Sequence, residues 1–139
     1  MIILSKQQYQ SILEHSMGCL PNEACGLIGG KLNEDKKTID KVYTLTNIDN
    51  SNEHFSMDPK EQFEAVKDMR NVGLELLGNF HSHPESPARP SEEDKRLAFD
   101  PNASYMILSL IDVTNPVLKS FKIANGTAVE EIIFIEEDI

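Results

Sequence analysis

Residues 74–94, LELLGNFHSHPESPARPSEED, join three kinds of local structure in one short stretch. The run over 74–81 is largely apolar and predicts a β-strand. The following segment, HSHPESPARP, holds three prolines, which predict a rigid, extended loop. Ser91 and Asp94 then supply an N-cap hydroxyl and a third-position acid, so a short helix is expected over about 91–99.

On both sides of this stretch, the sequence contains patterns that predict helices and patterns that predict strands. Ser5 and Gln8 form a capping-box pattern that begins a first helix, and Pro21 ends it. Asp58 and the proline that follows it begin a second helix, closed by a glycine. The predicted strands cover 24–32, 37–45, 74–81, 104–111, 117–124 and 129–135, with a further short one at 54–57. The sequence therefore predicts an α/β fold, a single mixed sheet of about six strands flanked by helices.

Length and charge narrow the function classes. The 139 residues fit one domain, 1–139. The net charge of −10 disfavours nucleic acid, whose binding needs a basic surface, and an anionic membrane surface. No apolar run reaches the roughly 20 residues of a membrane span, and the N-terminus does not resemble a signal peptide, so a cytoplasmic protein is expected. Cys19 and Cys25, the only cysteines, are expected to be free thiols.

Two histidines and an aspartate have the spacing of a metal site. His81 and His83 stand two apart at a strand end, where period-two geometry points both rings to one face. Asp94 lies in the first turn of the next helix, so its carboxylate points back towards the helix start. A catalytic zinc site takes three protein ligands and keeps the fourth position for water. His81, His83 and Asp94 are therefore predicted to hold one Zn²⁺ per chain.

Two further residues are candidates for catalysis. Glu23, in PNEACGLIGG, stands at the entry to a predicted strand and would act as a general base beside the metal-activated water. The hydroxyl of Ser91 would stabilise a developing oxyanion, although the same hydroxyl also fits a purely structural role as helix N-cap. His15 and His54 have no partner at ligand spacing and are interpreted as ordinary residues.

The order of these residues resembles the signature of the JAMM/MPN+ metalloproteases. That pattern is Glu, a long gap, then His-Ser/Thr-His, seven residues and Ser-x-x-Asp. Glu23, His81, His83, Ser91 and Asp94 match every position. The likeness extends to flanking segments, ACGLIGG at 24–30, FSMDP at 55–59 and LLGNFHSHP at 76–84. The resemblance implies a cytidine-deaminase-like α/β fold, zinc on the two histidines and the aspartate, a catalytic glutamate and a transition-state-stabilising serine.

The resemblance also implies a reaction and a partner. The family hydrolyses peptide or isopeptide bonds after the C-terminal tail of ubiquitin-like proteins. The short connections of this chain resemble the stand-alone prokaryotic type, associated with sulfur-carrier proteins that end in Gly-Gly and with their cysteine adducts. A Gly-Gly tail suits a narrow cleft, because glycine lets the backbone approach a metal closely. The expected activity is a zinc-dependent peptidase acting on a ubiquitin-like carrier.

Three alternatives come from other classes. A non-catalytic MPN scaffold would organise a complex, but such scaffolds lack the metal ligands present here. A RadC-like domain, associated with DNA repair, has His-Asn-His-Pro where this chain has HSHP. A zinc deaminase needs a Cys-x-x-Cys pair, which the sequence does not contain. The oligomeric state is left open, with a homodimer as one alternative.

Overall fold

A single sheet forms the centre of the structure, a computed structural model that describes residues 1–137. Within that range the sheet has eight strands and is accompanied by three helices. The strands are β1 Ile2–Ser5, β2 Cys25–Asn33, β3 Lys36–Leu45, β4 Glu75–His83, β5 Ser104–Ser109, β6 Val117–Ala124, β7 Thr127–Glu131 and β8 Ile133–Glu136. The helices are α1 Lys6–Cys19, α2 Pro59–Asn71 and α3 Glu92–Leu97. The predicted mixed α/β class is confirmed.

The sheet has eight strands instead of about six because of two regions of the chain. β1 was not predicted: its four residues are too few for a periodic pattern, and it forms by parallel pairing with β3 and β8. The strand predicted over 129–135 is interrupted at Ile132 and divides into β7 and β8. The strand predicted at 54–57 is reduced to one isolated bridge between Asn47 and Met57.

The interruption at Ile132 brings the two ends of the sheet together. The strand order is β7-β6-β5-β4-β2-β3-β1-β8, so two strands separated by one residue lie at opposite ends. The Ile2 amide donates to the Ile132 carbonyl at 2.8 Å, which links β1 to the turning point. The sheet is therefore rolled towards a barrel. In residues 1–137 no helix is both long and apolar enough to span a bilayer.

The predicted helix starts are confirmed. Ser5 Oγ accepts from the Gln8 amide at 3.0 Å, and Gln8 Oε1 accepts from the Ser5 amide at 2.9 Å. Asp58 Oδ1 accepts from the Lys60 amide at 2.9 Å at the start of α2. These side chains satisfy amides that the first helical turn leaves without partners.

β4 lies in the middle of the sheet, between antiparallel β2 and parallel β5. Phe80 on β4 is fully buried in the main hydrophobic cluster. Gly78 lets β5 approach closely, since a Cβ at this position would collide with the Ser104 backbone. The last residues of β4 therefore sit on a rigid support, which fixes the side chains that follow Phe80.

We expect Gly78→Ala to destabilise the protein, because the collision is with backbone and no side-chain rotation relieves it. Overpacking of this kind typically costs about 1–3 kcal/mol. The matched control is Gly18→Ala in α1, where a Cβ meets no atom within 4 Å and alanine favours a helix by up to about 1 kcal/mol. Urea unfolding of both variants is the measurement. Equal stability of the two would contradict the close approach of β4 and β5.

Candidate active site

The end of β4 presents two histidine rings to the same face of the sheet. The Nε2 atoms of His81 and His83 lie 3.0 Å apart, and both side chains are buried. Asp94 Oδ2 lies 3.2 Å from each of these nitrogens. β4 extends to His83, two residues beyond the predicted strand, because its parallel pairing with β5 continues to Ser109. The structure thus brings together the three residues that were predicted as metal ligands.

A helix cap aims the carboxylate of Asp94. The Asp94 amide donates to Ser91 Oγ at 3.0 Å, and the Ser91 amide donates to Asp94 Oδ2 at 2.9 Å. The same carboxylate oxygen therefore closes the cap and faces the histidines. α3 spans six residues, fewer than the predicted 91–99, but its start is where the sequence places it.

The proline-rich loop orients the second histidine. His83 Nδ1 donates to the Pro87 carbonyl at 2.8 Å, since a carbonyl oxygen can only accept. In neutral His83 the Nε2 lone pair is consequently free to face His81 and Asp94. Fixing one ring nitrogen by a backbone carbonyl is the usual way in which a metal-binding histidine is oriented.

Two contacts at the site were not predicted from the sequence. The Phe55 ring stacks on His81 with centroids 4.7 Å apart and so covers one of its faces. Ser82, fully buried between the two histidines, accepts from the Ala24 amide through Oγ at 2.8 Å. The sequence does indicate the direction of the Ser82 side chain. His81 and His83 share one face of the strand, so the residue between them must point to the opposite face.

Glu23 reaches the site from the segment just before β2. The Ser82 amide donates to the Ala24 carbonyl at 3.0 Å, which extends the β2–β4 pairing towards Glu23. The Glu23 amide donates to the Ser51 carbonyl at 2.8 Å, and its own carbonyl accepts from Asn47 Nδ2 at 3.1 Å. The side chain is 4 % exposed, and Oε1 has no hydrogen-bond partner among residues 1–137. The backbone of Glu23 is therefore anchored while its carboxyl group is left free.

Burial and neighbouring charges shift the pKa values at the site. Burial raises the pKa of Glu23 to about 8, helped by Asp94 and Glu93 and opposed by His83. Burial also lowers the pKa of His81. For His83 burial acts in the same direction, but its bonds to Asp94 and the Pro87 carbonyl outweigh this effect and raise its pKa. Burial would raise the pKa of Asp94, yet hydrogen bonds from both histidines hold it well below its usual range.

The donor set fits a zinc ion. Tetrahedral zinc, with bonds to nitrogen and oxygen of 2.0–2.2 Å, separates its ligand atoms by about 3.3 Å. The three separations between His81 Nε2, His83 Nε2 and Asp94 Oδ2 are 3.0, 3.2 and 3.2 Å. Three atoms rich in lone pairs at such distances need a shared cation between them, either a proton or a metal. Within residues 1–137, His81, His83 and Asp94 form the one group of at least three His, Cys, Asp or Glu side chains that could hold a metal ion.

Two hollows open on either side of these residues. The hollow called apolar here, of about 330 Å³, touches His81 and Asp94. Half of its lining residues are apolar or aromatic, Phe55, Met57, Leu97, Ala98, Phe99 and Tyr105, and the other polar ones are Ser56, Gln62, Asn79 and Glu93. An acidic hollow of about 260 Å³ touches Glu23 and His83 instead, and its remaining lining consists of Asn52, Glu53, Glu85, Ser86 and Ser91. The site is thus a cleft whose two sides differ in chemistry.

The other residues considered in the sequence lie outside this cleft. His15 Nε2 lies 3.2 Å from the Cys25 carbonyl and 3.1 Å from the Leu45 carbonyl, a contact with the sheet backbone. His54 pairs with Asp49 at 3.1 Å on the surface. Cys19 and Cys25 are free thiols, as predicted.

The buried carboxyl group of Glu23 yields a prediction about stability. A folded-state pKa of about 8 against an ordinary 4.5 means that folding favours the protonated form. Stability of the metal-free protein should therefore be lost as pH rises from 4.5 through about 8. Metal-free Glu23→Gln should be spared this loss and melt several degrees higher at pH 8, but not at pH 4. Thermal melts across pH test this, with exposed Glu75→Gln as control; parallel wild-type and Glu23→Gln profiles would refute it.

Comparison with known proteins places this arrangement in a family. The profile of the prokaryotic homologues of the JAB domain matches residues 5–124. The chain is 26 % identical over 136 residues to the CysO-cysteine peptidase of Mycobacterium tuberculosis, covering 98 % of this chain and 92 % of that one. It is 30 % identical over 111 residues to the desampylase of Haloferax volcanii, covering 76 % and 78 % of the two chains.

Solved structures share the fold. A protein of Desulfitobacterium hafniense superposes with a TM-score of 0.92 at 55 % identity, over 100 % of this chain and 95 % of that chain. A JAB1/MPN domain protein of Archaeoglobus fulgidus superposes with a TM-score of 0.56 at 21 % identity, over 99 % and 97 % of the two chains, a likeness of fold alone. Because the family profile matches most of the sequence, the chain belongs to the prokaryotic JAB-domain family.

Proposed function

We propose that the protein is a zinc-dependent peptidase that hydrolyses the amide bond after the C-terminal Gly-Gly of a ubiquitin-like sulfur-carrier protein. One observation carries this proposal. Two histidine nitrogens and a carboxylate oxygen converge within 3.2 Å of one another, and a buried carboxyl group without a partner stands beside them. The names of the relatives, a CysO-cysteine peptidase and a desampylase, support the same reaction class.

His81, His83 and Asp94 would hold the zinc. When bound, zinc supplies Lewis acidity and lowers the pKa of a coordinated water to about 7. The role of the chain is to keep the donors in place. β4 fixes both rings, the Pro87 carbonyl orients His83, and the α3 cap aims Asp94. A site built on a strand and a capped helix start is more rigid than one built on loops alone.

Glu23 would move the proton during hydrolysis. Burial raises the pKa of Glu23 in the metal-free chain, so its carboxyl group can hold a proton as well as accept one. Its Oε1 has no hydrogen-bond partner among residues 1–137. The carboxylate would take a proton from the attacking water and deliver it to the departing nitrogen. The peptide carbonyl carbon gains the water oxygen, the C–N bond breaks, and a carboxylate and an amine are released.

Ser91 would stabilise the oxyanion without giving up its cap. A hydroxyl group has one hydrogen to donate and two lone pairs to accept with. Ser91 Oγ uses one lone pair for the Asp94 amide, and its hydrogen has no acceptor among residues 1–137. Ser91 can therefore serve as the helix N-cap and as the proposed oxyanion donor at the same time.

The apolar hollow suits the carrier tail. It lies against His81 and Asp94, away from Glu23, and Phe55 and Phe99 border it. A slot of about 330 Å³ is at the lower limit of small-molecule pockets, which suits an extended Gly-Gly segment without side chains.

We further propose that residues 1–139 act as one domain in the cytoplasm, as the sequence predicts.

Purified protein should contain about one zinc per chain, the content of a site with a single set of three ligands. Asp94→Ala should lose most of that zinc, because the carboxylate contacts both histidines. Glu93→Ala, one residue away on α3 and outside the donor set, is the control and should retain it. Elemental analysis by mass spectrometry measures the content. A folded, zinc-free wild type after supplementation with zinc would rule out the site.

A Gly-Gly-ended carrier extended by a short peptide should lose the extension in the presence of the protein, and a zinc chelator should stop the reaction. Glu23→Gln should keep its zinc yet lose activity on the order of 10²–10⁴-fold, the usual contribution of a general acid–base. Intact-protein mass spectrometry records the cleavage, with exposed Glu75→Gln as the matched control. Full turnover by Glu23→Gln would remove Glu23 from the mechanism.

A further inference from the structure

The acidic hollow is held in shape by the backbone on both of its walls. On one wall, the Ser51 carbonyl accepts from the Glu23 amide at 2.8 Å, which ties the adjoining loop to β2. On the other wall, the Ser86 carbonyl accepts from Ser109 Oγ at 2.6 Å. Asn52 Nδ2 donates to Glu85 Oε2 at 3.2 Å and so joins the two walls. The hollow is therefore a formed feature of the fold.

The two outer carboxylates of this hollow have no cationic partner in residues 1–137. Glu53 and Glu85 line it, and neither forms an ion pair with any group in residues 1–137. Glu23, 4 % exposed and with Oε1 unpartnered, is a third carboxyl group in the same lining. No lysine or arginine of the described residues contributes to the lining, and its one imidazole, His83, faces the Pro87 carbonyl and the Asp94 carboxylate through its two ring nitrogens. A cleft lined by one sign of charge attracts the opposite charge and repels its own.

The position of Glu23 identifies what enters this hollow, given the proposed function. The departing nitrogen must receive its proton from Glu23, so the chemical group attached to that nitrogen has to lie on the Glu23 side. The apolar hollow, on the other side, has no contact with Glu23. A volume of about 260 Å³ falls below the range of about 300–1,000 Å³ for small-molecule pockets and suits a single side chain.

We propose that Glu53 and Glu85 select the amine part of the substrate by charge. An amide formed with the α-amine of a free amino acid carries an ionised carboxylate on the carbon next to the departing nitrogen, where these glutamates would repel it. An amide formed with a lysine side chain places four uncharged methylene groups there instead. This inference rests on the proposed peptidase activity and assigns the chain to lysine-linked protein conjugates, in preference to adducts of free amino acids.

Three substrates made from one Gly-Gly-ended carrier test the selection. The carrier is joined to the Nε of Nα-acetyl-lysinamide, to alanine with a free carboxylate, or to alaninamide, and alanine avoids a thiol that would bind the metal. We expect kcat/KM for the lysine and alaninamide conjugates to exceed that for the alanine conjugate by about three- to ten-fold, the effect of two exposed charges. The preference should shrink in 1 M salt, which screens such charges.

Glu53→Gln/Glu85→Gln should reduce that preference to near one, mainly by accelerating cleavage of the alanine conjugate. Glu14→Gln/Glu75→Gln, which removes the same charge from exposed positions outside the hollow, is the control and should keep the wild-type preference. A double variant with an unchanged preference, or a wild type that favours the free carboxylate, would overturn the proposal.

A binding measurement separates this proposal from the proposed function. If the zinc-loaded wild type cleaves none of the conjugates, the peptidase function fails, and selection by charge is then decided by NMR titration. Alaninamide should shift the amide resonances of Asn52, Glu53 and Glu85 at lower concentration than alanine does. The Glu53→Gln/Glu85→Gln protein should not distinguish the two ligands. Equal shifts by both ligands in the wild type would overturn the inference independently of any catalysis.

Discussion

The pairing of β2 with β4 is the constraint on which the site depends. Ser82 and Ala24 exchange two hydrogen bonds, of 2.8 and 3.0 Å, just beyond the point where Cys25 pairs with His81. A side chain on one strand and a backbone group on the other thus fix Glu23 relative to the histidines. If this pairing slipped by one residue, each side chain of the strand would move to the opposite face. Glu23 and the face that carries His81 and His83 would then no longer share a cleft.

The polar groups of the site lower the stability of the folded protein and at the same time favour the proposed reaction. Glu23 is buried without a hydrogen bond to Oε1, and the histidines and Asp94 crowd lone pairs together. Buried polar groups normally find partners, because an unpaired one costs free energy. A cation among the three donors and a substrate nitrogen beside Glu23 would relieve both conflicts. Of the three buried side-chain atoms without a partner in residues 1–137, Ser16 Oγ, Glu23 Oε1 and His81 Nδ1, the proposed mechanism gives a partner to Glu23 Oε1.

The sequence predicts the site better than it predicts the sheet. The shared face of His81 and His83 follows from their strand spacing, and the position of Asp94 follows from a helix cap, because both signals are local. β1 and the break at Ile132 depend on pairing between residues more than a hundred positions apart, which no local pattern encodes. The stacking of Phe55 on His81 was missed for the same reason, since its loop reaches the site only in the folded chain.

The residues of the cleft differ in how freely they can be substituted without disturbing the fold. His81, His83 and Glu23 stand on or next to central strands, where any shift disturbs the core. The walls of the two hollows come mostly from connections, around 51–57, 85–86 and 97–99. Loops tolerate substitution far better than strands do, so the same set of site residues can be surrounded by different walls. Relatives named for different substrates, a CysO-cysteine adduct and the target of a desampylase, fit this division. Under the proposed selection, a change of charge in one wall would separate two classes of amine while the central strands stay unchanged.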